Sequence, residues 1–186
     1  MSSIKEILDF NKEFVTTEQY KNYAATKKPQ KKIAVLSCMD ARLIETLPAA
    51  LNFKNGDIDM INIAGAVISH PFGSVMRSLL VAIYELGVED VLVIAHYDCG
   101  MHGMDAAKIL QKMVDKGVKK ETLNFISNCG IDINKWLKGF DDVKEAVHKT
   151  VNTVRSHPLV PRDIRVHGFV INPSTGQLDK ISTSEA

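Results

Sequence analysis

The sequence is poor in cysteine: its three residues, Cys38, Cys99 and Cys129, are odd in number and widely spaced. That excludes the disulfide framework of a small secreted module and leaves metal binding or catalysis as the better use of the thiols. No apolar run approaches the roughly 18 residues that a membrane-crossing helix needs. The opening MSSIKEILDF is charged and interrupted where a signal peptide would be apolar. The chain is therefore expected to be soluble and cytoplasmic, with no membrane partner. An excess of one charge is also missing. The 23 Lys and Arg against 22 Asp and Glu leave a formal net charge of +1, which points to neither nucleic acid nor an acidic partner. There is no Walker loop, no G-x-G-x-x-G after the first strand and no C-x-x-C, which removes phosphate-loop, dinucleotide and thioredoxin-like readings. No internal repeat or low-complexity tract divides the chain. What is present is ordinary globular material: 186 residues, 45% hydrophobic and 24% charged, enough for one domain with a full-sized core.

The order of elements follows from periodicity and punctuation. Ser3 and Glu6 make a capping-box pattern ahead of Ile4, Ile7, Leu8, Phe14 and Val15 at helical spacing, so residues 3–24 are expected to form one or two amphipathic helices within an N-terminal arm, 1–26. The lysine-rich segment 27–32 links this arm to a buried strand beginning at Ile33. A short helix at 43–51 contains Pro48, which should kink it or mark its first turn. A turn at Asn55-Gly56-Asp57 leads to a strand over 58–63, a helix from about Pro71 to Leu86 and a strand over 88–95. Another helix is expected over 104–116, with short helices and loops through 120–140. Asp142 and Glu145 then open a helix running to about His157, where Pro158 stops it. A strand at 164–171, the turn Asn172–Gly176 and an antiparallel edge strand at 177–181 complete the chain. The fold class is α/β: one domain, 1–186, with a mostly parallel sheet flanked by helices and an antiparallel C-terminal hairpin.

Two strand tips carry the chemistry. The first strand ends in Cys38, Asp40 and Arg42, which in extended chain would leave the sheet on one side. The second, 88–95, ends in His96-Tyr97-Asp98-Cys99-Gly100. If the strands are neighbours, Cys38, His96 and Cys99 can hold one zinc ion with a fourth position left for water. Two thiolates cancel the charge of Zn²⁺, so a hydroxide there needs help at neutral pH. Asp40 is placed to accept its hydrogen bond, and Arg42 to keep Asp40 ionised and oriented. Such a hydroxide is a nucleophile for a small electrophilic carbon. A closed structural site with Asp40 as fourth ligand is the alternative. Gly100 is expected to let the turn approach closely. Cys129 is expected to be a small buried hydrophobe, Asp98 a solvent-facing or supporting carboxylate, and Met101, Met104 and Met113 core residues. His70, His148, His157 and His167 default to surface or satisfied polar roles; His102, just past the site, is the one candidate proton carrier. Three residues separate Cys38 from Arg42, where a phosphatase signature needs five.

The segments Cys38-Met-Asp-Ala-Arg42 and His96-Tyr-Asp-Cys-Gly100 resemble the two signatures of the β-class carbonic anhydrases, in its compact bacterial and archaeal branch. Ala64-Gly65, Arg77-Ser-Leu, Leu86-Gly-Val, His167-Gly-Phe and Thr175-Gly-Gln-Leu agree with it, so the likeness spans about 33–181, the expected zinc-binding core. The resemblance implies one zinc per chain on Cys38, His96 and Cys99, an Asp40–Arg42 catalytic dyad, and reversible hydration of CO₂ to bicarbonate and a proton. It implies a homodimer or higher assembly, with N-terminal helices packed on a neighbour. In some members the matching aspartate swings onto the metal, a closed state that would make Asp40 a ligand. Asn62-Ile63 stands where Arg-Asn is often found, and Ala95 where Gly is common. These departures touch the pocket wall and leave COS or CS₂ hydrolysis, and a non-catalytic metal-binding role, as alternatives.

Overall fold

The strand at Ile33–Cys38 (β1) is buried along nearly its whole length in the computed structural model, which describes residues 3–181. Its apolar run is continuous because both faces are covered, the situation of a central strand in a parallel sheet. Two parallel neighbours flank it, Ile58–Ile63 (β2) on one side and Asp90–His96 (β3) on the other. Arg165–Ile171 (β4) continues the sheet in parallel and Leu178–Ile181 (β5) closes it antiparallel, in the order β2-β1-β3-β4-β5. This is the α/β architecture expected from the sequence; residues 1, 2 and 182–186 of the expected 1–186 domain lie outside the described residues. The chain leaves β1 to lay down β2 on one side, then returns past it to lay down β3 on the other. The carboxyl ends of β1 and β3 therefore meet at a topological switch point, where open α/β sheets leave a crevice.

The helices are Ile4–Thr16 (α1), Leu43–Ala50 (α2), Ser74–Tyr84 (α3), Ala106–Asp115 (α4), Lys120–Asn128 (α5), Ile133–Leu137 (α6) and Val143–Arg155 (α7). On one face of the sheet, Met76 and Leu79 of α3 and Val147, Val151 and Val154 of α7 pack on Ala34, Leu36, Val91 and Val93. On the other, Leu43 and Leu47 of α2 meet Val35, Ile94 and Ile171. Each fully buried aliphatic side chain of this kind stabilises the fold by about 1.5–3 kcal/mol. The helix α1 differs from these. Both halves of its capping box form, Glu6 N–H to Ser3 Oγ at 3.2 Å and Ser3 N–H to the Glu6 carboxylate at 2.8 Å, yet none of its residues is buried. Among the described residues no helix is long and apolar enough to cross a membrane.

Several local expectations need correction. Pro48 lies inside α2 and not in its first turn. It has no N–H to give the preceding turn, and the helix stops two residues later. The helix α3 starts at Ser74 because 70–73 form a turn, Gly73 N–H bonding His70 O at 3.1 Å. Its exit uses Gly87, at φ +77°, with Val88 N–H returned to Ala82 O, so β3 begins at Asp90 and not at Val88. Asp142 caps α7 through Glu145 N–H at 2.7 Å. Cys129 is exposed at the end of α5, not buried: that helix has no buried residue, so no core exists there for a small hydrophobe to fill.

Candidate metal centre

Cys38 ends β1 and His96 ends β3, adjacent parallel strands at the switch point. Cys99 follows His96 after a tight turn in which Asp98 takes a left-handed conformation, φ +53°. The two thiols and the imidazole offer ligand atoms that all lie within 4.8 Å of one another. The Cys38 and Cys99 sulfurs are 3.9 Å apart. Tetrahedral zinc with bonds near 2.3 Å sets two sulfurs about 3.8 Å apart, so the spacing already suits that ion. The imidazole is wholly buried, and its Nδ1, 2.8 Å from Tyr97 O, must be the protonated nitrogen that donates to that carbonyl. That leaves Nε2 with a free lone pair, buried and without a hydrogen-bond partner. Leaving such an atom unsatisfied costs about 1–3 kcal/mol, and a metal ion is the partner that removes the cost. The donor set therefore fits zinc.

Hydrogen bonds tune the thiols. Gly65 N–H donates to Cys38 Sγ at 3.3 Å from the turn after β2. The Cys99 thiol, and after it the Gly65 amide, pushes Cys38 well below an ordinary cysteine against the opposing effect of burial. As the donor of that pair, and by burial, Cys99 is pushed up. Two thiols this close cannot both ionise on their own; a dication between them reverses this.

Asp40 and Arg42 stand beside the cluster. Arg42 Nε donates to Asp40 Oδ1 at 3.0 Å and Nη2 to Oδ2 at 2.9 Å, a fork-to-fork pair, and the Arg42 backbone N–H adds a third bond to Oδ1 at 2.9 Å. These bonds, the side chain's first, hold the Asp40 carboxyl far below the usual carboxylate range. Oδ2 lies 3.7 Å from His96 Nε2. Both oxygens are engaged by Arg42, and the three-ligand group does not include Asp40. A cleft of about 250 Å³ reaches the cluster past His96, Cys99, His102, Phe140 and Val143.

Some details depart from expectation. The chain is extended only to Cys38; by Arg42 it is helical (φ −67°, ψ −20°), so alternation does not aim the arginine. Its guanidinium instead folds back onto Asp40. Gly100 has open space around it, and the turn is made by Asp98. His102 Nε2 is engaged by Asp141 O at 3.0 Å. One contributor escaped sequence reasoning. The Gly65 amide is aimed at sulfur by a left-handed turn (φ +67°), for which glycine after a strand was the available signal. Asp98, expected as a solvent-facing or supporting carboxylate, binds Arg42.

Comparison with known proteins places these features among relatives. Residues 33–178 match the family model described as carbonic anhydrase. The Bacillus subtilis (strain 168) protein YvdA, whose carbonic anhydrase name is provisional, is 48% identical over 97% of this chain and 92% of its own. A carbon disulfide hydrolase of Acidithiobacillus thiooxidans is 26% identical over 84% of each chain. The crystal structure of β-carbonic anhydrase isoform I from Trichomonas vaginalis superposes with a TM-score of 0.89 at 32% identity, over 100% of both chains.

Proposed function

The chain belongs to the β-carbonic anhydrase family, and from that premise we propose that it catalyses the reversible hydration of CO₂ to bicarbonate and a proton with one zinc ion per chain. Cys38, His96 and Cys99 would hold the zinc, which when bound supplies the Lewis acidity that makes water nucleophilic at neutral pH. The remaining work falls to Asp40 and Arg42. Asp40 stays ionised at any physiological pH and presents Oδ2 at the edge of the cluster, where it would accept a hydrogen bond from a water or hydroxide and so turn the oxygen lone pair toward the incoming carbon. Arg42 fixes the plane of that carboxylate from behind. The single observation that carries this reading is the carboxylate, locked in a guanidinium fork beside a Cys₂His set whose imidazole nitrogen lacks a partner. A purely structural metal site has no use for it.

The substrate has a second reading. CO₂, COS and CS₂ are linear triatomics attacked at carbon, and a relative at 26% identity is a carbon disulfide hydrolase. Stopped-flow proton release from CO₂, run beside sulfide release from COS and CS₂ on the same zinc-loaded protein, separates the two. Hydration dominating by kcat/KM supports the proposal. Sulfide release dominating moves the substrate, and full activity in a metal-free preparation refutes the zinc mechanism.

The same premise supports a homodimer or larger homo-oligomer. The apolar stripe of α1 leaves Ile4 73%, Ile7 54% and Leu8 56% exposed, and a second copy is the partner that would cover it. Three free thiols suit a reducing cytoplasm.

A further inference from the structure

The guanidinium of Arg42 has two forks, and only one faces Asp40. On the other, Nη1 donates to Asp98 Oδ2 at 2.8 Å and Nη2 donates to the Asp98 backbone oxygen at 2.9 Å. Four of its five N–H groups are thereby committed, so the plane can neither flip nor slide without breaking two bonds at once. Asp98 reaches this position because it sits at φ +53°, in the left-handed region that Asp tolerates better than most residues. That conformation turns both its carbonyl and its carboxylate to the same side. The brace spans the switch point: Asp40 and Arg42 follow β1, and Asp98 follows β3 between the candidate ligands His96 and Cys99.

We propose that Asp98 is a positioning residue, acting through Arg42 to hold the Asp40 carboxylate at the angle the reaction needs. Its carboxylate is engaged by Arg42 and not by a candidate ligand side chain. The side chain of Asp98 is 85% exposed and that of Arg42 43%, so as an ion pair the contact contributes little to stability. What it supplies is orientation. This inference rests on the proposed role of Asp40, but it is testable apart from catalysis.

The test uses the zinc-loaded full chain carrying Asp98→Ala or Asp98→Asn, each also in an Arg42→Ala background. The first readout is the Arg42 side-chain Nε–H resonance and its exchange with solvent. The second is kcat and KM for CO₂ hydration, with zinc content and thermal midpoint measured on every sample. In Asp98→Ala the Nε–H exchanges faster and kcat falls about tenfold, the low end for losing a supporting partner, while KM and zinc content hold. Asp98→Asn keeps an acceptor for Nη1 and the left-handed backbone, and recovers most of the loss. With Arg42 already removed, Asp98→Ala has no further effect. An unchanged Nε–H signal, or an equal kcat loss with and without Arg42, overturns the inference. A wild-type protein inactive on CO₂, COS and CS₂ would sink the proposed function instead, and the arginine signal would still decide whether Asp98 braces Arg42.

Discussion

Replacing Asp40 by Asn changes one atom and separates orientation from metal binding. In the native arrangement Oδ1 accepts two N–H groups of Arg42, at 2.9 and 3.0 Å, and Oδ2 accepts a third at 2.9 Å. An asparagine has a single oxygen. If that oxygen takes the Oδ1 place, its NH₂ faces Nη2–H, donor against donor; the flipped rotamer opposes two donors and is worse. The variant therefore loses at least one charge-assisted bond, of about 1.5–3 kcal/mol in a protected setting. Asp40 keeps 20% of its side chain exposed and water replaces part of that bond, so the stability change should stay below about 1 kcal/mol. Catalysis should suffer more, because the acceptor at the edge of the cluster becomes a donor. The expected loss is about 10²-fold in kcat, the lower end for removing a proton-handling group and equivalent to about 2.7 kcal/mol of barrier. Stopped-flow CO₂ hydration at matched zinc content reads the loss, and thermal unfolding reads the stability. A zinc-replete Asp40→Asn protein with wild-type kcat would refute the reasoning. So would loss of zinc, since it would make Asp40 a ligand.

Gly65→Ala should destabilise the chain by about 1–3 kcal/mol and weaken zinc binding. The residue sits at φ +67°, and a Cβ would come 3.0 Å from the Phe140 ring and 3.1 Å from Met101 while the amide holds Cys38; urea titration and chelator competition measure both effects, and no change in either contradicts the assignment. Asp59→Asn should raise the thermal midpoint at pH 7 by a few degrees, on the order of 1 kcal/mol, because burial raises the Asp59 pKa and Oδ2 has no partner. A folded-state pKa above the unfolded one means the ionised form is penalised on folding. The penalty is absent below the ordinary carboxylate value near 4 and complete above the raised one, so the gain should vanish near pH 3.5; an equal gain at both pH values would assign it another cause. Ile7→Glu with Leu8→Glu on α1 should shift the sedimenting species toward monomer, and an unchanged distribution would show that this stripe is not the subunit contact.

The continuous apolar runs ending at Cys38 and His96 mark buried strands without any structure, because only a strand covered on both faces needs no polar alternation. Punctuation at Ser3, Gly87, Asp142 and the Asn172–Gly176 turn placed most element ends to within a few residues, since caps and turns are chemistry of adjacent residues. Ligand types, their strand-end positions and the Asp40–Arg42 pairing were legible for the same reason. Convergence was not: that β1 and β3 are neighbours, bringing two sulfurs to 3.9 Å, is a property of strand order. So were the tautomer of His96, the amide of Gly65 on Cys38 and the second fork of Arg42 on Asp98. Exposure of Cys129 also depended on which helices found a core. Local sequence specifies what each residue prefers over the next few positions; which groups meet across 27, 56 or 61 residues is decided only when the sheet closes and burial leaves each donor and acceptor one place to go.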